Sequence, residues 1–139
     1  MKEVIYIITV MLLIIIAYID YKQKIIPDKL NVAIAILGII NITLDFKNIK
    51  TYILSTIIVF TFFFILAVLS KGGIGGGDIK LFTALSLVFG YDMLWIIEYS
   101  YIIAAVVSII MLILKKTNLK SSVALAPFIM LGTLAHLFL

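Results

Sequence analysis

The sequence predicts an all-α fold: a polytopic membrane protein with a bundle of about six transmembrane helices, forming one membrane-embedded domain over residues 1–139. Three observations lead there. Hydrophobic residues make up 65% of the chain and the mean hydropathy is +1.30, whereas an ordinary soluble domain is about 45–50% apolar. The apolar residues fall into six segments, roughly 4–21, 29–45, 51–70, 79–91, 93–114 and 121–139. Most of the charges collect in the connections between them. A water-filled exterior cannot accommodate that much apolar surface, so the lipid bilayer is the expected solvent.

A spanning helix needs about 20 residues, range about 17–25. Segments three, five and six meet that length, segment two is a little short, and segment four ends early at Tyr91-Asp92. Segment one has one lysine before it and Asp20 directly after it, so it reads as a retained helix rather than a cleaved signal. With every segment spanning, the connections 22–29, 71–80 and 115–120 share one side. They carry Lys22, Lys24, Lys29, Lys71, Lys80, Lys115, Lys116 and Lys120, against Lys2, Lys47 and Lys50 on the other. The positive-inside rule then puts the lysine-rich face in the cytoplasm and both termini outside. The net charge of +4 reports this topology, and no nucleic-acid partner is expected.

Composition also narrows the chemistry. There is no cysteine and a single histidine, His136. No thiol nucleophile is available, and neither a metal site nor a cofactor is expected.

Two carboxylates remain. Asp20 follows a sixteen-residue uncharged run, and Asp78 closes Gly72-Gly73-Ile74-Gly75-Gly76-Gly77. A carboxylate beside a membrane span is costly and is by default a functional-site hypothesis. The bland reading of Asp20 is an interfacial partner of Lys22 or Lys24. It lies at a helix C-terminus, where the macrodipole disfavours negative charge, so no capping role explains it. Asp78 precedes a helix and has an N-cap reading. Five glycines in six positions exceed what a turn requires, since glycine loses the most backbone entropy on folding. Gly73, Gly75, Gly76 and Gly77 are therefore candidates for a loop that an extended substrate backbone approaches. Two carboxylates sharing a site hold one proton between them, so the ionised one activates water and the protonated one polarises a carbonyl. The helix ends make Asp20 the expected acid and Asp78 the expected base.

Pro27 stops the first helix, and Asp28 is read as the cap of the helix starting at Lys29. Lys80 is an anchor or a charge partner of the aspartates. Glu98 is a candidate for hydrogen bonding inside the bundle, Asp45 and Asp92 are surface residues, and Pro127 bends or starts the last helix.

These residues carry a resemblance. Asp20 with Ile26-Pro27-Asp28, then Gly73-Ile74-Gly75-Gly76-Gly77-Asp78-Ile79-Lys80-Leu81, then Ala126-Pro127-Phe128 with Gly132, resemble the type IV prepilin peptidases, leader peptidases of the GxGD aspartyl type. The resemblance implies that Asp20 and Asp78 are the catalytic aspartates. It implies an endopeptidase of the cytoplasmic membrane that removes the short basic leader of pilin-like precursors at the cytoplasmic face. Pro27, Asp28 and Lys80 would support the site. The chain lacks the cysteine-rich region of the larger methylating members and is similar to the minimal form, which speaks against methyl transfer. Two other readings compete: a small proton-coupled transporter using the aspartates as a relay, and a non-catalytic subunit of a pilus or secretion assembly.

Overall fold

The computed structural model describes residues 1–116 and 124–139, and the described residues form helices joined by short turns, with no strand among them. Six α-helices follow in order: α1 Lys2–Gln23, α2 Asp28–Leu44, α3 Ile49–Leu69, α4 Gly76–Phe89, α5 Met93–Ile113 and α6 Ala126–Phe138. Short 3-10 turns, Phe46–Asn48 and Gly90–Asp92, lead into α3 and α5. Helices answer the constraint that lipid imposes, because each satisfies its own backbone donors and acceptors.

Named contacts give the helix directions. Lys2 at the start of α1 meets Asp45 after α2, and Asn41 near the end of α2 donates to the Val88 carbonyl near the end of α4. At the other end, Lys80 of α4 meets Asp28 of α2. Ser55 early in α3 donates to the carbonyl of Gly90, and His136 late in α6 lies 3.6 Å from Asp92 before α5. Helices α1, α3 and α5 therefore run one way, and α2, α4 and α6 the other.

Among the described residues, three stretches are long and apolar enough to cross a membrane: Lys2–Gln23, Phe46–Leu69 and Gly76–Ile113, the last combining α4 and α5. The remaining helices are shorter, and α4 itself has 14 residues. The sixth segment corrects the sequence reading. It appeared long enough to span, yet α6 has 13 residues, because the helix begins only at Ala126, with Pro127 in its first turn. Residues 117–123, including Lys120 of the lysine count, lie outside the described residues.

Burial is concentrated on α4. Eight of its residues are buried, among them Leu81, Phe82, Leu85 and Val88. By contrast, α3 and α5 bury only narrow stripes and expose Ile57, Phe64, Ile102 and Ile109. A helix apolar all round belongs in the interior, and exposed apolar faces belong against lipid. Phe63 of α3 and Phe82 of α4 stack with centroids 4.4 Å apart and planes 2° from parallel, and Tyr101 of α5 lies about 6 Å from both. Three buried hydroxyls stay within their own helices: Thr9, Ser100 and Thr133 each donate to the carbonyl four residues back at 2.6–2.8 Å. Glu98 differs from expectation. It is exposed on α5 rather than inside the bundle.

Helix contacts are closest at two glycines, as expected where van der Waals packing rather than water drives association. A methyl on Gly38 of α2 would sit 2.5 Å from Leu87 Cβ and 3.0 Å from its carbonyl carbon. One on Gly132 of α6 would sit 2.8 Å from the Ser100 amide and 2.9 Å from the Ile96 carbonyl oxygen. Backbone cannot move aside as a flexible side chain can, so the helices must separate.

Asp45 is more than a surface residue. It accepts from Lys2 Nζ at 2.5 Å, Tyr52 OH at 2.8 Å and Asn48 Nδ2 at 3.0 Å, closing the end of the bundle remote from the glycines. Lys2 first, then Asn48 and Tyr52, lower its carboxyl pKa from 3.8 to about 2.

Two outcomes follow from this packing. Gly132→Ala and Gly38→Ala should each lower stability by about 1–3 kcal/mol, the usual cost of overpacking, read as a fall in thermal unfolding temperature in detergent; an unchanged midpoint contradicts the close approach. The Asp45 contribution should be complete above pH 3.8 and lost as pH falls toward 2. Acid unfolding followed by circular dichroism should show this limb in the wild type and flatten it in Asp45→Asn.

Candidate active site

Both aspartates occupy the same end of the bundle and line one cavity of about 280 Å³. Asp20 lies in the last turn of α1, 5% exposed. The helix ends just beyond it, at Lys24, which takes a left-handed conformation (φ 54°) while its amide donates to the Asp20 carbonyl at 2.7 Å. Lys24 thus stops α1 three residues before Pro27, and Pro27 serves as the N-cap residue of α2. Asp78 lies on the facing wall, half-buried in the first turn of α4. The N-cap residue there is Gly75, and no side chain caps the helix, so the capping reading of Asp78 does not hold.

The glycine run is divided in its roles. Gly72 has φ +86° and follows Lys71 at φ 53°, and its amide closes α3 by donating to the Ala67 carbonyl at 3.1 Å. Only glycine takes that dihedral without strain. Gly75, Gly76 and Gly77 form a wall of the cavity. A Cβ on Gly77 would lie 3.1 Å from Ile26 Cβ, so this glycine lets the start of α4 pack close to the α1–α2 connection. Gly76 faces open space. The amides at the start of α4 have no intrahelical acceptor, so the cavity wall presents backbone donors beside Asp78.

Asp20 has a partner that sequence reasoning missed. The amide of Ala126, the first residue of α6, donates to Asp20 Oδ2 at 3.0 Å across 106 positions of sequence. The positive end of α6 therefore meets Asp20, just as the positive end of α4 carries Asp78. The helix-end argument that made Asp20 the acid and Asp78 the base loses its premise, because each carboxylate now meets a helix N-terminus. The local signal available in sequence was Ala126-Pro127, since proline favours a first helical turn.

The supporting residues are placed differently from expectation. Asp28 is the first residue of α2 and makes no capping bond. Its Oδ1 accepts from Lys80 Nζ at 3.1 Å, with both side chains largely exposed. Lys80 is therefore the partner of Asp28 rather than of Asp20 or Asp78, and an exposed pair of this kind contributes little stability. Asp28 nevertheless lines the cavity along with the two aspartates. No cluster of three or more His, Asp or Glu side chains suited to a metal occurs among the described residues.

The sequence profile of the type IV leader peptidase family matches residues 7–115. That range contains Asp20 and Asp78 but stops before Ala126-Pro127-Phe128. The prepilin peptidase EppA of Methanocaldococcus jannaschii is 37% identical over 114 residues, covering 75% of this chain and 32% of the relative. The chain thus spans about a third of that relative's length. No solved structure matches it.

The Ala126–Asp20 bond separates two substitutions. Asp20→Ala should leave a buried amide unpaired and cost about 1–3 kcal/mol, whereas Asp20→Asn keeps an acceptor oxygen and should unfold close to the wild-type temperature. Equal midpoints for the two variants would remove the bond from the account.

Proposed function

Because the chain belongs to the type IV leader peptidase family, we propose that it is an aspartic endopeptidase that removes the short basic leader from a pilin-like precursor at the cytoplasmic face of the cell membrane. The observation that carries this reading is the shared cavity of Asp20 and Asp78, walled on one side by Gly75, Gly76 and Gly77.

The chemistry is that of a carboxylate pair. Brought close in a partly desolvated cavity, the two groups hold one proton, and the pair titrates as a unit. The ionised carboxylate takes a proton from water as its oxygen attacks the scissile carbonyl carbon. The protonated carboxyl donates to the carbonyl oxygen. Collapse of the tetrahedral intermediate breaks the C–N bond and passes a proton to the departing amine, restoring the one-proton pair. With a helix N-terminus beside each carboxylate, acid and base are roles of the pair rather than of one residue. The glycine wall has no side chains to obstruct an extended leader.

The orientation rests on lysines. Lys22, Lys24, Lys29, Lys71 and Lys80 flank the cavity end in sequence, while Lys2, Lys47 and Lys50 belong to the opposite end. This asymmetry supports a cytoplasmic site. A coupled transporter is expected to carry its ionisable pair near the midplane, and a pair at the bundle end fits that role poorly.

The test is leader removal from a co-expressed pilin-like precursor, read by the N-terminal sequence of the product. Asp20→Asn and Asp78→Asn should each reduce cleavage by roughly 10²–10⁴-fold, the scale of general acid–base catalysis, while remaining folded. Asp→Glu at either position should also fail, because one methylene displaces the carboxylate. Wild-type processing by either Asn variant would refute the pair mechanism.

A further inference from the structure

A second cavity, of about 430 Å³, opens between α2, α3 and α4. Val32 and Ala35 of α2, Phe60 of α3 and Leu87 of α4 give it an apolar lining. Asp28 and Lys80 lie at its end, and Asp28 also lines the aspartate cavity, so the two spaces share a wall.

One residue in this groove is out of keeping with the rest of the bundle. Asn31 lines it, is 5% exposed, and has neither a donor for its Oδ1 nor an acceptor for its Nδ2. Thr9, Ser55, Ser100 and Thr133 donate to carbonyls, and Asn41 donates to Val88 although its Oδ1 has no donor, so Asn31 alone among the described buried side chains has both functions unpaired. A buried carboxamide with both functions unpaired disfavours the fold, and an apolar residue of similar size would serve packing better. Its geometry is that of a peptide group's complement, one donor beside one acceptor. The polypeptide that needs such a partner is one whose backbone is not internally bonded, either extended or in the first turn of a helix.

We propose that this groove seats the stretch of substrate polypeptide adjoining the scissile bond, with the Asn31 carboxamide pairing to one of its main-chain peptide groups. The inference rests on the peptidase reading and adds where the substrate lies. Asn31 is one helical turn from Asp28, about 5 Å along α2. The substrate therefore passes from the apolar groove over Asp28 to the aspartate pair. Asn31 acts by binding, and the groove admits an apolar segment sideways from the bilayer.

The experiment uses the full chain in nanodiscs with a pilin-like precursor. Asn31→Leu should raise KM by roughly 3–10-fold, the worth of one or two hydrogen bonds, while its unfolding temperature holds or rises, because leucine removes an unpaired amide. A photo-crosslinking residue at Val32 should capture the precursor next to its cut site. The same residue at Met11, beside a separate cavity between α1 and α6, should not. An unchanged KM in Asn31→Leu, a fall in its unfolding temperature without a change in KM, or crosslinks at Val32 to lipid alone would each overturn the groove assignment. A wild-type chain that leaves the precursor intact would instead overturn the proposed function, and this inference with it.

Discussion

The amide of Ala126 and the carboxylate of Asp20 tie the last helix to the first. In a bilayer neither group can be left to lipid, since an unpaired donor or a bare carboxylate in hydrocarbon costs several kcal/mol. The bond meets both needs at once. It gives α6 a starting point, holds the end of α1 against it, and fixes the cavity-facing carboxylate. Helix α1 packs against both α2 and α6, and the site becomes a corner of the bundle rather than a loose helix end.

Around that corner the bundle is organised by its short fourth helix. Helix α4 is buried along most of its length, and the stacked Phe63 and Phe82 rings set its position against α3. Its first turn carries Asp78, so the rigidity of the core is passed directly to one carboxylate. The other end of the bundle is secured by Asp45 and its three donors. Stability is thus supplied by the core and the far end, which allows the glycine-lined end to remain short of side chains.

Much of this was legible in the sequence because it is local. Hydropathy marks six helical segments, and the places of Asp20 and Asp78 at segment ends follow directly. What local pattern cannot encode is which ends meet. The Ala126 amide is 106 positions from its acceptor, and it is a backbone group, so no side-chain motif announces it. Lys80 pairs with Asp28 across 52 positions, a distance that leaves an anchor or a partner of the aspartate pair as the roles its local sequence suggests. The reading of Asp78 as a cap erred by three residues, because glycine starts α4 earlier than the first apolar residue suggests. Gly38 is an ordinary member of an apolar run in sequence, and Gly132 stands out only through the resemblance; the crossing of two helices is what reveals that a methyl has no room at either. Asn31 carries no local signal beyond being polar, and its interest comes entirely from lacking a partner.

The brevity of α4 and α6 has a consequence for reagent supply. At 1.5 Å per residue, 14 and 13 residues rise about 21 and 20 Å, against a hydrocarbon thickness of about 30 Å. Two helices that stop short leave a depression in the membrane surface, which thins the bilayer locally. Hydrolysis consumes one water for every bond cut, and a fully sealed apolar bundle would starve it. On the proposed reading, the same shortness that keeps α4 inside the core brings the aqueous phase down to the carboxylates, so the solvent reaches the bond without the substrate leaving the membrane.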